Sequence, residues 1–312
     1  MPVKPVQLAG RKILITGPTG QVAEPIVARL APQAEVYALA RFSKAEDRAR
    51  IEALGAHTVQ ADLADAASLK DCPDDIDYVF NFAVVKSGDF DYDLAANAEG
   101  VGNLMMHCRS AKAFMHCSST AVYEYAGHTP RKESDPLGDN HRVMFPTYSI
   151  AKIAAETVCR FVAHQTGLPT TIARLSVPYG DNGGWPYLHL KMMQQGMPID
   201  VHPDRPNGYN LLHVDDYFEK LPYLLGAATP AVTTVNFGGS QCVSIEEWCT
   251  YIGELTGLVP EFRDNPKMFG NLAIDTTRMH ELIGETRVDW KAGIRAMIEN
   301  LEPGALNPGS IS

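Results

Sequence analysis

The sequence lacks the features that mark several large protein classes. It has no apolar run of about 18 residues or more, the length a membrane-crossing helix needs. Met1 to Gly10 holds no apolar stretch ahead of a cleavage site, so no secretory signal is expected. Positive charge is scarce: 27 Lys and Arg stand against 37 Asp and Glu, a formal net charge of -10. That balance argues against nucleic-acid and anionic-membrane partners. Cysteine is sparse as well. Cys72, Cys108, Cys117, Cys159, Cys242 and Cys249 include no C-x-x-C pair. Reduced, buried thiols in a soluble cytoplasmic protein are therefore expected, with neither a disulfide scaffold nor a metal site. No repeat or low-complexity tract is present. What remains is ordinary globular composition, 45% hydrophobic and 21% charged over 312 residues, enough for one large domain or two.

Short β-rich apolar runs alternate with helical patterns. Strands are expected at 12–16, 35–39, 57–60, 76–80, 113–116 and 170–174. Helices are expected up to Leu30 and at 44–54, 66–72, 90–110 and 148–165, with Asp65 as an N-cap. This alternation predicts an α/β fold, a Rossmann-type doubly wound parallel sheet. Asp215 reads as the N-cap of a helix to Leu225, 275–300 as two helices, and 301–312 as a fraying Pro/Gly/Ser-rich end.

Two local patterns carry chemistry. Tyr148 and Lys152 lie four residues apart, on one face of a helix that Pro146 would open in its first turn. An ammonium group beside a phenol lowers its pKa, so the pair is a plausible proton-transfer device as well as an ordinary amphipathic helix pattern. Gly17-Pro18-Thr19-Gly20-Gln21-Val22-Ala23 sits between a strand and a helix, the context of a dinucleotide loop or of a plain tight turn. The second strand ends in Ala40-Arg41 with Lys44 and Arg48 nearby and no carboxylate, which suits a 2′-phosphate and favours NADP over NAD. Asp62 stands where it could accept from an adenine amino group. Phe82, Ala83, Val84 and Lys86 follow the fourth strand, at the end where this architecture places ligands.

Together with Asp62-Leu63, Asn81-x-Ala83, Asn97-x-x-Gly100, Ser118-Ser119-x-x-Val122-Tyr123, Arg174-x-x-x-Pro178-Tyr179-Gly180 and His213-Val214-Asp215-Asp216, these motifs resemble the extended short-chain dehydrogenase/reductases. That group holds nucleotide-sugar epimerases, dehydratases and hydroxysteroid dehydrogenases. The resemblance covers about residues 11–240, in the family's order. It implies an NAD(P)-binding domain over 1–180 and a small substrate-binding lobe over 181–312, with 210–240 returning to the first domain. It implies a catalytic set of Ser119, Tyr148 and Lys152, with Asn97 in support. Gly17, Thr19, Gly20, Gln21, Val22, Arg41, Asp62, Leu63, Phe82, Ala83, Val84, Lys86 and Pro178 would line the cofactor, with Tyr148 and Lys152. Substrate would meet Lys86, Ser119, Thr120, Tyr179, Trp185 and Tyr209, with Tyr187 and Phe269 as further wall candidates and Met192 and Met193 as core.

The chain also departs from the family. Thr120 and Ala121 stand where dehydratases carry an Asp-Glu pair, and elimination needs that extra acid and base. Tyr209 stands where nucleotide-sugar epimerases place an arginine for the diphosphate. The expected activity is therefore hydride transfer between a nicotinamide cofactor and a carbonyl or secondary alcohol. A nucleotide-sugar 4-epimerase is the alternative, and a non-catalytic NADP-binding sensor is the alternative of another class. The family implies a homodimer through helices 90–110 and 148–165. Leu94, Val101, Met105 and Cys108 on the first, and Ile150, Ala154, Val158 and Phe161 on the second, recur at helical spacing, a pattern a monomer could also bury under its own lobe.

Overall fold

The computed structural model describes residues 2–139 and 141–307. Six strands form in chain order: β1 Lys12–Thr16, β2 Glu35–Ala40, β3 His57–Gln60, β4 Tyr78–Asn81, β5 Ala113–Ser119 and β6 Thr170–Leu175. With the strand Thr233–Phe237 they make one seven-stranded sheet, in the order Thr233–Phe237, β6, β5, β4, β1, β2, β3. Every pairing in it is parallel. The order reverses between β1 and β4, so the crossovers on either side leave a crevice at their carboxyl ends. Both faces are covered, and β1 from Ile13 on and all of β4 are accordingly buried. This is the doubly wound Rossmann-type sheet expected from the alternation.

The helices follow from their apolar spacing. On α1, Ala23–Leu30, the buried residues are Ala23, Ile26, Val27 and Leu30, a single stripe. Helix α2, Ala45–Ala53, buries only Ile51. The expected helix 66–72 is a 3₁₀ helix, Ala66–Asp71, which Asp65 caps by accepting from the Ala67 N–H. The expected helix 90–110 is three pieces: α3 Phe90–Leu94, a π turn Ala95–Glu99 and α4 Gly100–His107. Helix α5, Tyr148–Thr166, ends at Gly167 in the left-handed region (φ +74°), a stop glycine adopts without strain. Thr147 caps α5, so Pro146 stands before the helix rather than in its first turn. Asp215 is likewise inside its helix, Val214–Gly226, whose cap is His213 accepting from the Asp215 N–H.

A second apolar core lies under helices Trp185–Gln194, Ile245–Thr256 and Trp290–Leu301, around Trp248, Tyr209 and Tyr179. The segment 181–186 forms a short strand Gly183–Gly184 and then enters a helix at Trp185. Met193 is buried there and Met192 packs against it, as core. Of the expected fraying end, Leu301 closes a helix and the Asn307 N–H donates to the Leu255 carbonyl at 2.9 Å, while 308–312 lie outside the described residues. No described helix is long and apolar enough to cross a membrane. Five cysteines are buried as expected, and Cys242 is exposed.

One buried ion pair ties α5 to the sheet. Arg174 on β6 donates from Nε to Glu156 Oε1 at 2.9 Å and from a terminal nitrogen to Oε2 at 2.8 Å. Ser118 Oγ also donates to Oε1 at 2.6 Å, and Arg160 to Oε2 at 2.9 Å. Burial opposes ionisation of Glu156, but these donors prevail and hold its carboxyl below the usual range. Removing one partner of a buried pair costs about 3–5 kcal/mol. Glu156→Leu should lose an amount of that order in urea unfolding, because Arg174 is left charged and alone; a loss under about 1 kcal/mol would contradict it. Since the folded-state carboxyl titrates below its unfolded value, this contribution should be complete near neutral pH and fade as pH falls below the ordinary carboxylate range of about 4.

Candidate active site

The crevice is built from the ends of β1 and β4. Thr16 Oγ1 donates to Asn81 Oδ1 at 2.6 Å and accepts from the Ala83 N–H at 3.1 Å, pinning the two strand ends together. Gly17 follows in the left-handed region (φ +66°), and a Cβ there would stand 3.0 Å from the Ala83 backbone. Only glycine fits such an approach. A cavity of about 340 Å³ opens here, lined by Gly17, Thr19, Arg41, Asp62, Leu63, Ala83, Val84 and Asn97 among others. A second, of about 420 Å³, shares Gly17 and Val84 with it. Gly20, Gln21, Val22, Phe82, Lys86, Ser119, Thr120, Tyr148, Lys152, Pro178, Trp185 and Tyr209 line this second cavity. Both have the volume of small-molecule sites, and together they follow the switch point of the sheet. The glycine turn and the elongated groove fit a dinucleotide cofactor.

Within the second cavity, β5 delivers Ser119 and α5 delivers Tyr148 and Lys152. Burial pushes the Tyr148 phenol up to about 12, against an opposing pull from the Ser119 hydroxyl. Lys152 Nζ donates to the Cys117 carbonyl at 2.7 Å, and burial lowers its pKa. The expected lowering of the Tyr148 pKa by Lys152 is therefore absent here: the amine is turned onto the end of β5, and desolvation of the phenol dominates.

Other expectations change too. Tyr179 does not reach the cavity. Side chains alternate along the strand Val177–Gly180, so with Pro178 facing the groove Tyr179 packs into the lobe core, its hydroxyl 3.5 Å from the Trp290 carbonyl. Tyr187 turns away to Glu302 at 2.9 Å. Phe269 stands behind the wall, stacked on His141 with ring centroids 3.8 Å apart. Asn97, expected in support, does organise backbone: it accepts from the Val85 N–H at 2.8 Å and donates to the Val85 carbonyl at 2.9 Å and the Asp93 carbonyl at 2.7 Å. Arg41 is exposed at the mouth of the first cavity, where it donates to the Tyr92 hydroxyl.

Sequence reasoning missed several contributors. Asp47 lines the first cavity, with Arg50 on its carboxylate at 2.9 Å. Buried Asp93 accepts from Ser87 Oγ at 2.7 Å and from Thr147 Oγ1 at 2.5 Å, joining the loop after β4 to the start of α5. Buried His116 meets Asn81 Nδ2 through Nδ1 at 3.0 Å, and burial drops its pKa to about 3. His141, Phe145 and Leu272 also line the second cavity. Apart from the local Asp47–Arg50 and Asp93–Ser87 contacts, these act through neighbours distant in sequence, and no motif marks them.

The family model for the NAD dependent epimerase/dehydratase family matches residues 13–238. No curated protein matches the chain in sequence. Among solved structures, the UDP-glucuronic acid 4-epimerase of Bacillus cereus, crystallised with UDP-glucuronic acid and NAD, is similar at 18% identity and a TM-score of 0.78, over 94% of this chain and 99% of that one. The UDP-glucose 4-epimerase of Thermotoga maritima is similar at 20% identity and 0.78, again over 94% and 99%. The UDP-N-acetylglucosamine 4-epimerase of Methanobrevibacter ruminantium M1 is similar at 17% and 0.79, over 95% and 100%. With the family match spanning well over half of its length, this chain belongs to the NAD-dependent epimerase/dehydratase family, an enzyme family of the extended short-chain dehydrogenase/reductase fold.

Proposed function

We propose that this protein is an NAD(P)-dependent oxidoreductase that transfers hydride between the nicotinamide and a carbonyl or secondary alcohol carbon. The observation that carries this reading is the meeting of Ser119, Tyr148 and Lys152 on one wall of the second cavity. The cofactor supplies or accepts the hydride and, when oxidised, a positive charge. Tyr148 gives a proton to the substrate oxygen or takes one from it, and Ser119 hydrogen-bonds the same oxygen. Lys152 holds cofactor ribose and stabilises the phenolate once its amine leaves the Cys117 carbonyl. Gly17, Gly20, Gln21 and Val22 cradle the pyrophosphate, and Trp185, Tyr209 and Thr120 bound the substrate.

A 4-epimerase is the second reading. The names of the solved relatives favour it, since those proteins act on UDP-sugars. Against it stands the cavity wall: among the described residues lining the second cavity there is no arginine. Tyr209, at the expected diphosphate position, is buried with its hydroxyl on the Gly270 carbonyl at 2.9 Å. A buried diphosphate without a matching guanidinium is poorly paired.

Arg41 and Lys44 at the mouth of the first cavity support NADP as the preferred cofactor, against the carboxylates of Asp47, which Arg50 already engages, and Asp62, which accepts from the Ala64 N–H at 3.0 Å. A soluble cytoplasmic homodimer completes the proposal. The apolar stripe inferred for the first dimer helix does not support it, because Val101, Met105 and Cys108 face the protein's own core. The support lies instead in Phe161 and Met106, which remain 64% and 45% exposed.

Tyr148→Phe should abolish turnover, at least about a hundredfold, while cofactor affinity by calorimetry stays within about twofold, because only the proton path is lost. Lys152→Met should weaken both; wild-type turnover in Tyr148→Phe would end the proposal. NADPH should bind about tenfold more tightly than NADH, as a charge-assisted contact of about 1.5–3 kcal/mol requires, and Arg41→Ala should erase the difference. Equal affinities in the unaltered protein would show that Arg41 does not read the phosphate. Light scattering at micromolar concentration should give twice the 34.1 kDa of one chain, falling to a single chain in Phe161→Glu; a monomeric unaltered protein would remove the dimer.

A further inference from the structure

The second cavity holds two polar side chains that proton transfer by Tyr148 does not use. Lys86, on the loop after β4, lies with its Nζ 4.7 Å from the centre of the Phe145 ring and 5.3 Å from that of Tyr148. Among the described residues no carboxylate pairs with it, and desolvation lowers its pKa. An ammonium group set between aromatic faces keeps its charge available to a ligand while losing part of its water. His141 is the second group. It is 7% exposed, it lines the same cavity, and its Nδ1 has no hydrogen-bond partner. A buried polar nitrogen without a partner is costly, and a ligand entering this cavity would offset that cost. Burial, with the nearby Lys86 charge as a second cause, pushes its pKa down to about 4, so it meets a ligand as a neutral imidazole. Aromatic groups surround the pair: His141 stacks on Phe269 at 3.8 Å, and Trp185 lies parallel to Phe269 at 6.0 Å.

We propose that Lys86 and His141 form an anion-reading subsite beside the reaction centre, so that the substrate carries a carboxylate within a few bonds of the carbon that exchanges hydride. The inference rests on the hydride-transfer reading of the same cavity. Lys86 supplies the charge and His141 a hydrogen bond, while the flat aromatic wall accepts a planar or ring-shaped body. The proximity of Lys86 to the Tyr148 ring sets the separation: a carboxylate on Nζ and an oxygen on the phenol belong to neighbouring parts of one small molecule. A hydroxy or oxo acid meets that requirement, and so does a uronate carried on a sugar nucleotide.

Equilibrium binding to the NADP-loaded protein tests this without turnover. Two pairs of probes are compared by calorimetry: benzoate against benzamide, and UDP-glucuronic acid against UDP-glucose. Within at least one pair the acid should bind about tenfold more tightly than its neutral counterpart. Preference within the benzoate pair assigns a small acid, and preference within the sugar pair assigns a uronate; either supports the subsite. At saturating NADP, Lys86→Met should erase the preference, while His141→Phe, which keeps the stacking on Phe269, should reduce it about threefold. No preference in either pair, including no measurable binding of any probe, overturns the proposal. So does a Lys86→Met variant that loses NADP affinity but keeps the preference, which would assign Lys86 to the cofactor. A protein that shows the preference yet reduces no carbonyl would sink the oxidoreductase reading and leave the subsite standing.

Discussion

The site depends on the buried ion pair between Glu156 and Arg174. Tyr148 and Lys152 stand on α5, and Ser119 on the end of β5, two elements that meet along one face of the sheet. Glu156 sits one turn beyond Lys152 on α5 and is fully buried. Its carboxylate takes both forks of Arg174 from β6 and the hydroxyl of Ser118, the neighbour of Ser119. Rotation or sliding of α5 would break several charge-assisted hydrogen bonds at once, in a place where water cannot replace them. The same guanidinium lies 4.9 Å from the Tyr123 ring, and Tyr123 donates to Asn236 on the edge strand Thr233–Phe237 at 2.5 Å. The catalytic face is thus registered against the sheet by charge rather than by shape alone.

A second set of contacts fixes the other wall. Thr16 and Asn81 lock the ends of β1 and β4, Asn97 holds the Val85 backbone from the π turn, and Asp93 bridges Ser87 and Thr147. The π turn is the structural expression of that work, because widening the helix at 95–99 brings Asn97 over the loop that carries Lys86. Helix α5 thus carries Tyr148, and a loop held by these side-chain contacts carries Lys86. No group of three or more possible metal ligands gathers among the described residues.

Much of the fold was legible in the chain because several of its strands centre on short apolar runs, as buried parallel strands do. β1 and β3 begin and end where the sequence pattern places them, while β4 begins at Tyr78, two residues late, although the Asp77 N–H still donates to the Lys12 carbonyl at 2.9 Å. Helix 90–110 could not be read as interrupted, since the interruption comes from Asn97 bonding twelve residues back. Tyr179 was misplaced because a motif gives position along the chain, whereas strand alternation decides which side a residue faces. The Tyr148 pKa was misjudged for a related reason: helical spacing puts Lys152 one turn away but does not aim its amine, and the Cys117 carbonyl claims it. His141 and His116 carried no local signal at all, because their roles arise from neighbours far away in sequence.

The central claim is that this cavity moves hydride between the nicotinamide and a substrate carbon, with net formation of a reduced or oxidised product. It is tested most directly by offering the protein NADPH deuterated at the transferring nicotinamide position together with a panel of carbonyl compounds and oxo acids. Product is followed by mass spectrometry and cofactor by absorbance. The account predicts one deuterium in the product for each NADPH consumed. Isomerised UDP-sugar formed with no net consumption of cofactor would contradict it and make the protein an epimerase.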